Sequence, residues 1–349
     1  MTSETITTSN TPRIPWIDAT RGIAIILVVI GHSIGAKYIE SDWEVVLGGL
    51  MFYIYAYHMH IFFFISGCTF NFNKYAEKTL KFLYARVKTL IVPYFTFELI
   101  AFLFFSLPQR TNLFLITPPI ELIIQILTAT RPGIPAEWLW FLPCLFLVEL
   151  MYYGISKYLY PDHIIDIFAV IFLIILLVIY IPLPVTSSSI FKIAILGLIY
   201  YAIGHVFVQY WKKIFHKINL LIFSILFAVI FILIGPGIGG IWNDGASIIP
   251  LMFIQSYAVP TMMAFLGIFS TVFFVIWVYK KGINLKILEF LGKNCIVIYI
   301  LHGFFLYIYI VYFSIIIDLN VFVISALVIL PCIPLIYIIK RFVPWAIGK

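Results

Sequence analysis

The chain has 349 residues, of which 63% are hydrophobic, 18% aromatic and 11% charged, with a mean hydropathy of +1.10. Soluble domains run at about 45–50% apolar and about 25% charged, so a water-soluble enzyme, a disordered chain and a fibrous chain are excluded and a polytopic membrane protein remains. The formal net charge is +7, but the basic residues sit between apolar runs, where they read as topology signals and headgroup contacts rather than as a nucleic-acid surface.

At about 20 apolar residues per span, the pattern predicts an all-α fold of about ten transmembrane helices. They fall over residues 17–38, 49–71, 89–107, 138–157, 163–182, 190–211, 218–235, 255–279, 291–316 and 320–341. Together they form one transmembrane domain over 16–345, preceded by an N-terminal tail over 1–15. The Ser/Thr-rich start of that tail, Met1 to Pro12, shows no cleavage site for a signal peptide. The stretch Pro118–Thr130 is apolar but short, which predicts a re-entrant or interfacial helix. Gly235–Gly245, with Asp244, predicts a flexible outer loop. No internal repeat stands out. With both termini in the cytoplasm, most of the 22 Lys and Arg residues fall on inside segments, and only Lys37, Arg110, Arg131 and Lys192 fall outside. The positive-inside rule therefore expects a multi-pass cell-membrane protein with cytoplasmic termini. Cys68, Cys144, Cys295 and Cys332 lie in or beside apolar segments with no metal-type spacing, so buried thiols are expected, and neither a disulfide framework nor a metal site.

Ionisable groups inside spans are costly and mark function. The first span carries Asp18, Arg21 and His32. Arg21 and His32 are eleven residues apart, which at 100° per residue places them on nearly one face, about 16 Å apart along the axis. Asp18 precedes Arg21 by three, close enough to pair. This face puts an ion pair near the inner surface and an imidazole deep in the membrane, where histidine is the natural general base. A capped helix start with a structural histidine is the bland alternative. In the second span, YAYHMHIFFFISG, His58 and His60 are two apart and point to opposite sides of a helix. His58 suits either a polar cavity or an inter-helix hydrogen bond. The stretch KTLKFLYARVKTLIVP, Lys78 to Pro93, is basic and amphipathic: it either anchors at the membrane surface or holds a polyanionic ligand, with Arg86 the best cation for phosphate. Trp138 and Trp140 suit an interfacial belt. Glu98 and Glu149 lie inside spans and need partners or water. His205 and His302 sit in later spans, beside Asn294 and Tyr299 in the second case. No phosphate-binding P-loop, dinucleotide fingerprint, His-Glu-x-x-His or Gly-x-Ser-x-Gly motif is present, which takes support from ATP-driven transport and serine-esterase chemistry.

Five segments taken together resemble one family: WIDATRGIAIILVVIGHS at 16–33, YHMHIFFFISG at 57–67, Arg86 through Pro93–Tyr94, WFLPCLFLVEL at 140–150 and FLGKNCIVIYILHG at 290–303. The chain looks like an integral-membrane acyltransferase of the acyltransferase 3 family, closest to the branch labelled fucose 4-O-acetylase-like. The first segment holds the family's Arg-x(10)-His pattern as Arg21 and His32. The chain departs from that branch at His60, where Pro is common, and at Arg21, where Lys is common. The resemblance implies an acetyl-CoA donor entering from the cytoplasm, with Arg86, Lys88 and Arg21 as cationic contacts. It implies His32 as general base or acyl relay, Asp18 holding Arg21, and Glu149, His58 or His302 lining the substrate path. The acceptor would be a sugar hydroxyl on a surface glycan or lipid-linked precursor, and no permanently bound cofactor is implied. A transporter or flippase for a glycan or lipid precursor also suits ten spans and a charged cavity. The first-span motif and the lack of inverted repeats favour the enzyme.

Overall fold

The structure, a computed structural model, describes residues 13–37, 44–76, 78–106, 124–126, 136–159, 190–215, 218–241, 259–314 and 319–349, with 168, 171 and 172. Among the described residues there is no strand. The helices are α1 (Pro15–Lys37), α2 (Glu44–Tyr57), α3 (His60–Cys68), α4 (Thr79–Arg86), α5 (Val92–Ala101), α6 (Phe141–Leu159), α7 (Ile190–Phe215), α8 (Leu220–Ile241), α9 (Val259–Lys280), α10 (Lys286–Lys293), α11 (Cys295–Ile308) and α12 (Val321–Phe342). Eight helical stretches among the described residues are long and apolar enough to cross a membrane, and Leu220–Ile234 is a shorter apolar one. Helices satisfy every backbone polar group within the segment, which hydrocarbon demands. The chain is an all-α polytopic membrane protein. All of the expected span over 163–182 except residues 168, 171 and 172, the tail up to residue 12 and most of Pro118–Thr130 lie outside the described residues. The Gly-rich stretch after residue 235 is helical as far as Ile241, with the rest outside the described residues.

Three expected spans change shape. The span over 49–71 is divided into α2 and α3 by a turn at His58 and Met59. Two donors from one residue claim the Ile54 carbonyl: the His58 amide at 3.0 Å and its ring Nδ1 at 2.8 Å. Phe62 N then bonds back to Met59 O at 3.1 Å, an i→i+3 closure that tightens the chain for one turn. The span expected over 89–107 begins ten residues earlier, at Thr79, and passes through π-helical turns at Val87–Ile91 and Phe102–Ser106. Pro93 explains the first: it lacks the N–H that the carbonyl four residues back requires, and its ring would crowd that carbonyl. Widening to a π turn relieves both. The span expected over 291–316 is split at Asn294, whose side chain donates to Phe290 O at 2.7 Å and receives Lys340. Its first part becomes the separate helix α10, with Glu289 and Lys293 on one side and Ile287 exposed on another.

Helix α1 sits at the centre, touching α2, α3, α9, α10, α11 and α12. Its contact with α10 is backbone to backbone. A Cβ on Gly22 would fall 2.1 Å from Leu288 O, and one on Gly292 would fall 1.8 Å from Asp18 O. Only small residues permit this approach. Gly292→Ala or Gly22→Ala must force the crossing apart, at a cost of about 1–3 kcal/mol. Gly154, inside α6, has nothing within 4 Å of such a Cβ, so Gly154→Ala should gain about 0.5–1 kcal/mol. Thermal unfolding in detergent is expected to move down for the first two variants and up for the third.

Candidate active site

Pro15 opens α1 with Asp18 in its first turn, where proline's fixed φ and a carboxylate both suit a helix N-terminus. Asp18 is buried. Its Oδ1 lies 3.7 Å from Arg21 NH1, while Arg21 NH2 donates to Thr69 Oγ1 at 3.3 Å, just past the end of α3. Asp18 Oδ2 has no hydrogen-bond partner among the described residues. Arg21 is thus fixed between two helices with donors to spare.

Two cavities meet at this guanidinium. The outer one has a volume of about 570 Å³ and is lined by Arg13, Asp18, Arg21, Asn71 and Lys293, among others. The inner one has about 170 Å³ and a mostly apolar wall that includes Phe62, Phe141, Leu142 and Tyr299. Arg21, Cys295 and Ile296 line both. Lys293 is held at the rim by Glu289 at 2.9 Å, and Tyr279 donates to the same carboxylate at 2.7 Å. The Tyr279 hydrogen bond first, then Lys293, keeps the Glu289 carboxyl below its usual range, so this carboxylate stays ionised near neutrality.

Three histidines form a group near Tyr299, a wall residue of the inner cavity whose ring centre is 5.9 Å from that of His302. The rings of His32 and His302 are 5.0 Å apart at 71°, and Tyr55 lies between His32 (6.3 Å) and His58 (4.8 Å). Each ring is tied by Nδ1 to a carbonyl of its own chain segment: His32 to Val28 at 2.9 Å, His58 to Ile54 at 2.8 Å and His302 to Tyr299 at 2.7 Å. A carbonyl only accepts, so Nδ1 carries the proton in each, and Nε2 is the basic nitrogen of the neutral ring. His302 is wholly buried, and its Nε2 has no hydrogen-bond partner among the described residues.

Trp138 and Tyr299 wall this centre. The chain turns into α6 through a 3₁₀ turn at Glu137–Trp140. Tyr299 Oη receives the Phe141 amide at 3.3 Å and donates to Trp138 O, so one hydroxyl bridges both backbone groups where the 3₁₀ turn passes into α6. The Trp138 indole donates to Ile300 O at 3.1 Å and lies on Gly303, where a Cβ would meet the indole at 2.3 Å. Its ring centre is 6.2 Å from that of His302. Trp138, expected in an interfacial belt, is turned into the protein. Neither its role nor that of Tyr55 could be read from the sequence, because both depend on which distant residue is small enough to receive a ring.

The remaining sequence candidates fall elsewhere. Arg86 pairs with Glu149, Nε to Oε2 at 3.0 Å, and lies over the Phe82 ring; Tyr201 donates to the other Glu149 oxygen at 3.5 Å. Glu149 also feels the Arg21 charge. Neither Arg86 nor Lys88 lines the two cavities. Lys88 lies in the first π turn, against which the C-terminal 3₁₀ turn packs: a Cβ on Gly348 would fall 2.7 Å from Lys88 O. His60 faces the Tyr200 ring, on the far side of the broken helix from His58. His205 is bonded to Tyr152 Oη at 2.7 Å, and Glu98 accepts the Ala136 amide at 3.1 Å.

The structure thus sets a cationic cavity, a smaller apolar cavity joined to it at Arg21, and a nearby group of imidazoles within a helical membrane protein. The chain matches the acyltransferase 3 family, described as an acyltransferase domain, over residues 14–341, and it belongs to that family. It is a membrane acyltransferase. No curated protein and no solved structure matches it.

The Arg86–Glu149 pair gives a stability prediction. Arg86→Met or Glu149→Gln leaves one charge buried without its partner, and each should cost on the order of 3 kcal/mol. The double variant should lose clearly less than the sum of the two. Melting of the four proteins in a double-mutant cycle measures the coupling.

Proposed function

We propose that the protein moves an acetyl group from acetyl-CoA to a sugar hydroxyl of a cell-surface or lipid-linked glycan, as the fucose 4-O-acetylase-like resemblance implies. Its place would be a bacterial plasma or inner membrane, with the basic end in the cytoplasm. The observation that carries this reading is the pair of cavities joined at Arg21. The shape of the donor matches their sequence: a phosphate-bearing head, a thin arm, and a thioester at its tip. The head would sit in the outer cavity against Arg13, Arg21 and Lys293, since Arg86 is already neutralised by Glu149. Guanidinium groups suit phosphate because they bind it bidentately. The arm would thread the inner cavity past Tyr299, whose ring centre is 5.9 Å from that of His302.

At that end His32 acts on the acyl transfer, through the Nε2 that its bond to Val28 leaves basic. It takes the proton of the acceptor hydroxyl, or it takes the acyl group in transit. Asp18 keeps Arg21 across the waist between the cavities. Membrane lipids and the glycan acceptor complete the set of partners, and no nucleic acid is required.

Thiol release from acetyl-CoA by the purified protein in nanodiscs, with a mixed glycan acceptor pool, tests the reading. His32→Ala should lose about 10²–10⁴-fold in turnover. Arg13→Ala and Lys293→Ala should raise the KM for acetyl-CoA several-fold with kcat little changed, and added salt should mimic them. Folded wild type that neither binds nor consumes acetyl-CoA would sink the donor assignment.

A further inference from the structure

The transfer just described gives His302 no task, yet its environment is specific. The ring is wholly buried on α11, Nδ1 is fixed on Tyr299 O, and Nε2 has no hydrogen-bond partner among the described residues. Leaving a buried ring nitrogen unbonded is unfavourable, so such a group marks a place where a ligand supplies the missing hydrogen. That nitrogen belongs to a ring 5.0 Å from the ring of His32. One-step base catalysis uses one imidazole; this centre presents two whose tautomers are fixed alike.

We propose that transfer runs in two steps on two histidines, with His32 carrying the acyl group and His302 acting as the base toward the acceptor. The proposal rests on the acetyl-CoA reading above. In the first step the His32 Nε2 lone pair attacks the thioester carbonyl, the carbon–sulfur bond breaks, and CoA leaves as thiolate. His32 becomes an N-acylimidazolium, with its Nδ1–H still donated to Val28 O. In the second step the acceptor O–H gives its proton to His302 Nε2 while the oxygen attacks the acyl carbon. The carbon–nitrogen bond breaks, and its electrons return to His32 Nε2. His302, now protonated, passes its proton to solvent or to the departing thiolate. The sum is thioester plus alcohol giving ester plus thiol. A nucleophile and a separate base divide one difficult displacement into two easier ones.

The test separates the two half-reactions with the full chain in nanodiscs. Isotope exchange between free CoA and acetyl-CoA, without acceptor, reads the first; acceptor-dependent ester formation reads both. Wild type should show both. His302→Gln and His302→Asn, with wild-type thermal melting in detergent showing that they fold, should keep exchange within a few-fold of wild type and lose about 10²-fold or more in ester formation. His32→Gln should lose both. Wild type that forms ester without exchange overturns the proposal, and it does so without any variant. So does a folded His302 variant that transfers normally or that loses exchange as well. Wild type that does not use acetyl-CoA at all fails the reading beneath the proposal, and the proposal falls with it.

Discussion

Helix α1 can carry Asp18, Arg21 and His32 through a low-dielectric interior because its neighbours come close enough to cover them. The backbone contact between α1 and α10, made through Gly22 and Gly292, sets that distance at the level of the ion pair. It places Lys293 and Cys295 beside Arg21, so the outer cavity takes its shape from this one crossing. Helix α11 leaves from the same point and runs alongside α1. Cys295 and Ile296 share the lining of the inner cavity with Arg21, and farther along α11 the His302 ring comes within 5.0 Å of that of His32. Geometry at the mouth is thereby carried to the imidazoles.

The three histidines are oriented by carbonyls three or four residues away in their own chain. Arg86 and Glu149 neutralise each other across two helices, beside the π turn that Pro93 imposes. A π turn inserted before a proline lets a helix continue while changing which face its side chains present. This protein keeps that turn in contact with its C-terminal 3₁₀ turn.

What the sequence made legible was what a single helix determines. The spans could be read from hydropathy, and the shared face of Arg21 and His32 from a spacing of eleven. The family pattern lies on that same helix. What could not be read depends on contacts between distant residues. Glu149 lies 63 residues beyond Arg86, and nothing local shows that it neutralises a cation otherwise suited to phosphate. Trp138 resembles any interfacial tryptophan until Gly303 is seen beneath it. The turn between α2 and α3 falls inside one continuous apolar run, so hydropathy does not register it. The separation of α10 from α11 rests on Asn294, an ordinary polar residue until Lys340 reaches it.

Helix α10 has one consequence for how the membrane itself enters the chemistry. It is a short amphipathic helix between two spans, with Lys286 and Lys293 at its ends and Ile287 exposed, the pattern of a helix suited to the headgroup layer. An anionic leaflet has a surface potential of about −30 mV, which repels a polyanion approaching from water. On the acetyl-CoA reading, the rim cations would offset that repulsion at the point of entry. Occupancy of the outer cavity should therefore depend on lipid composition as well as on ligand concentration, which makes the bilayer part of the binding equilibrium.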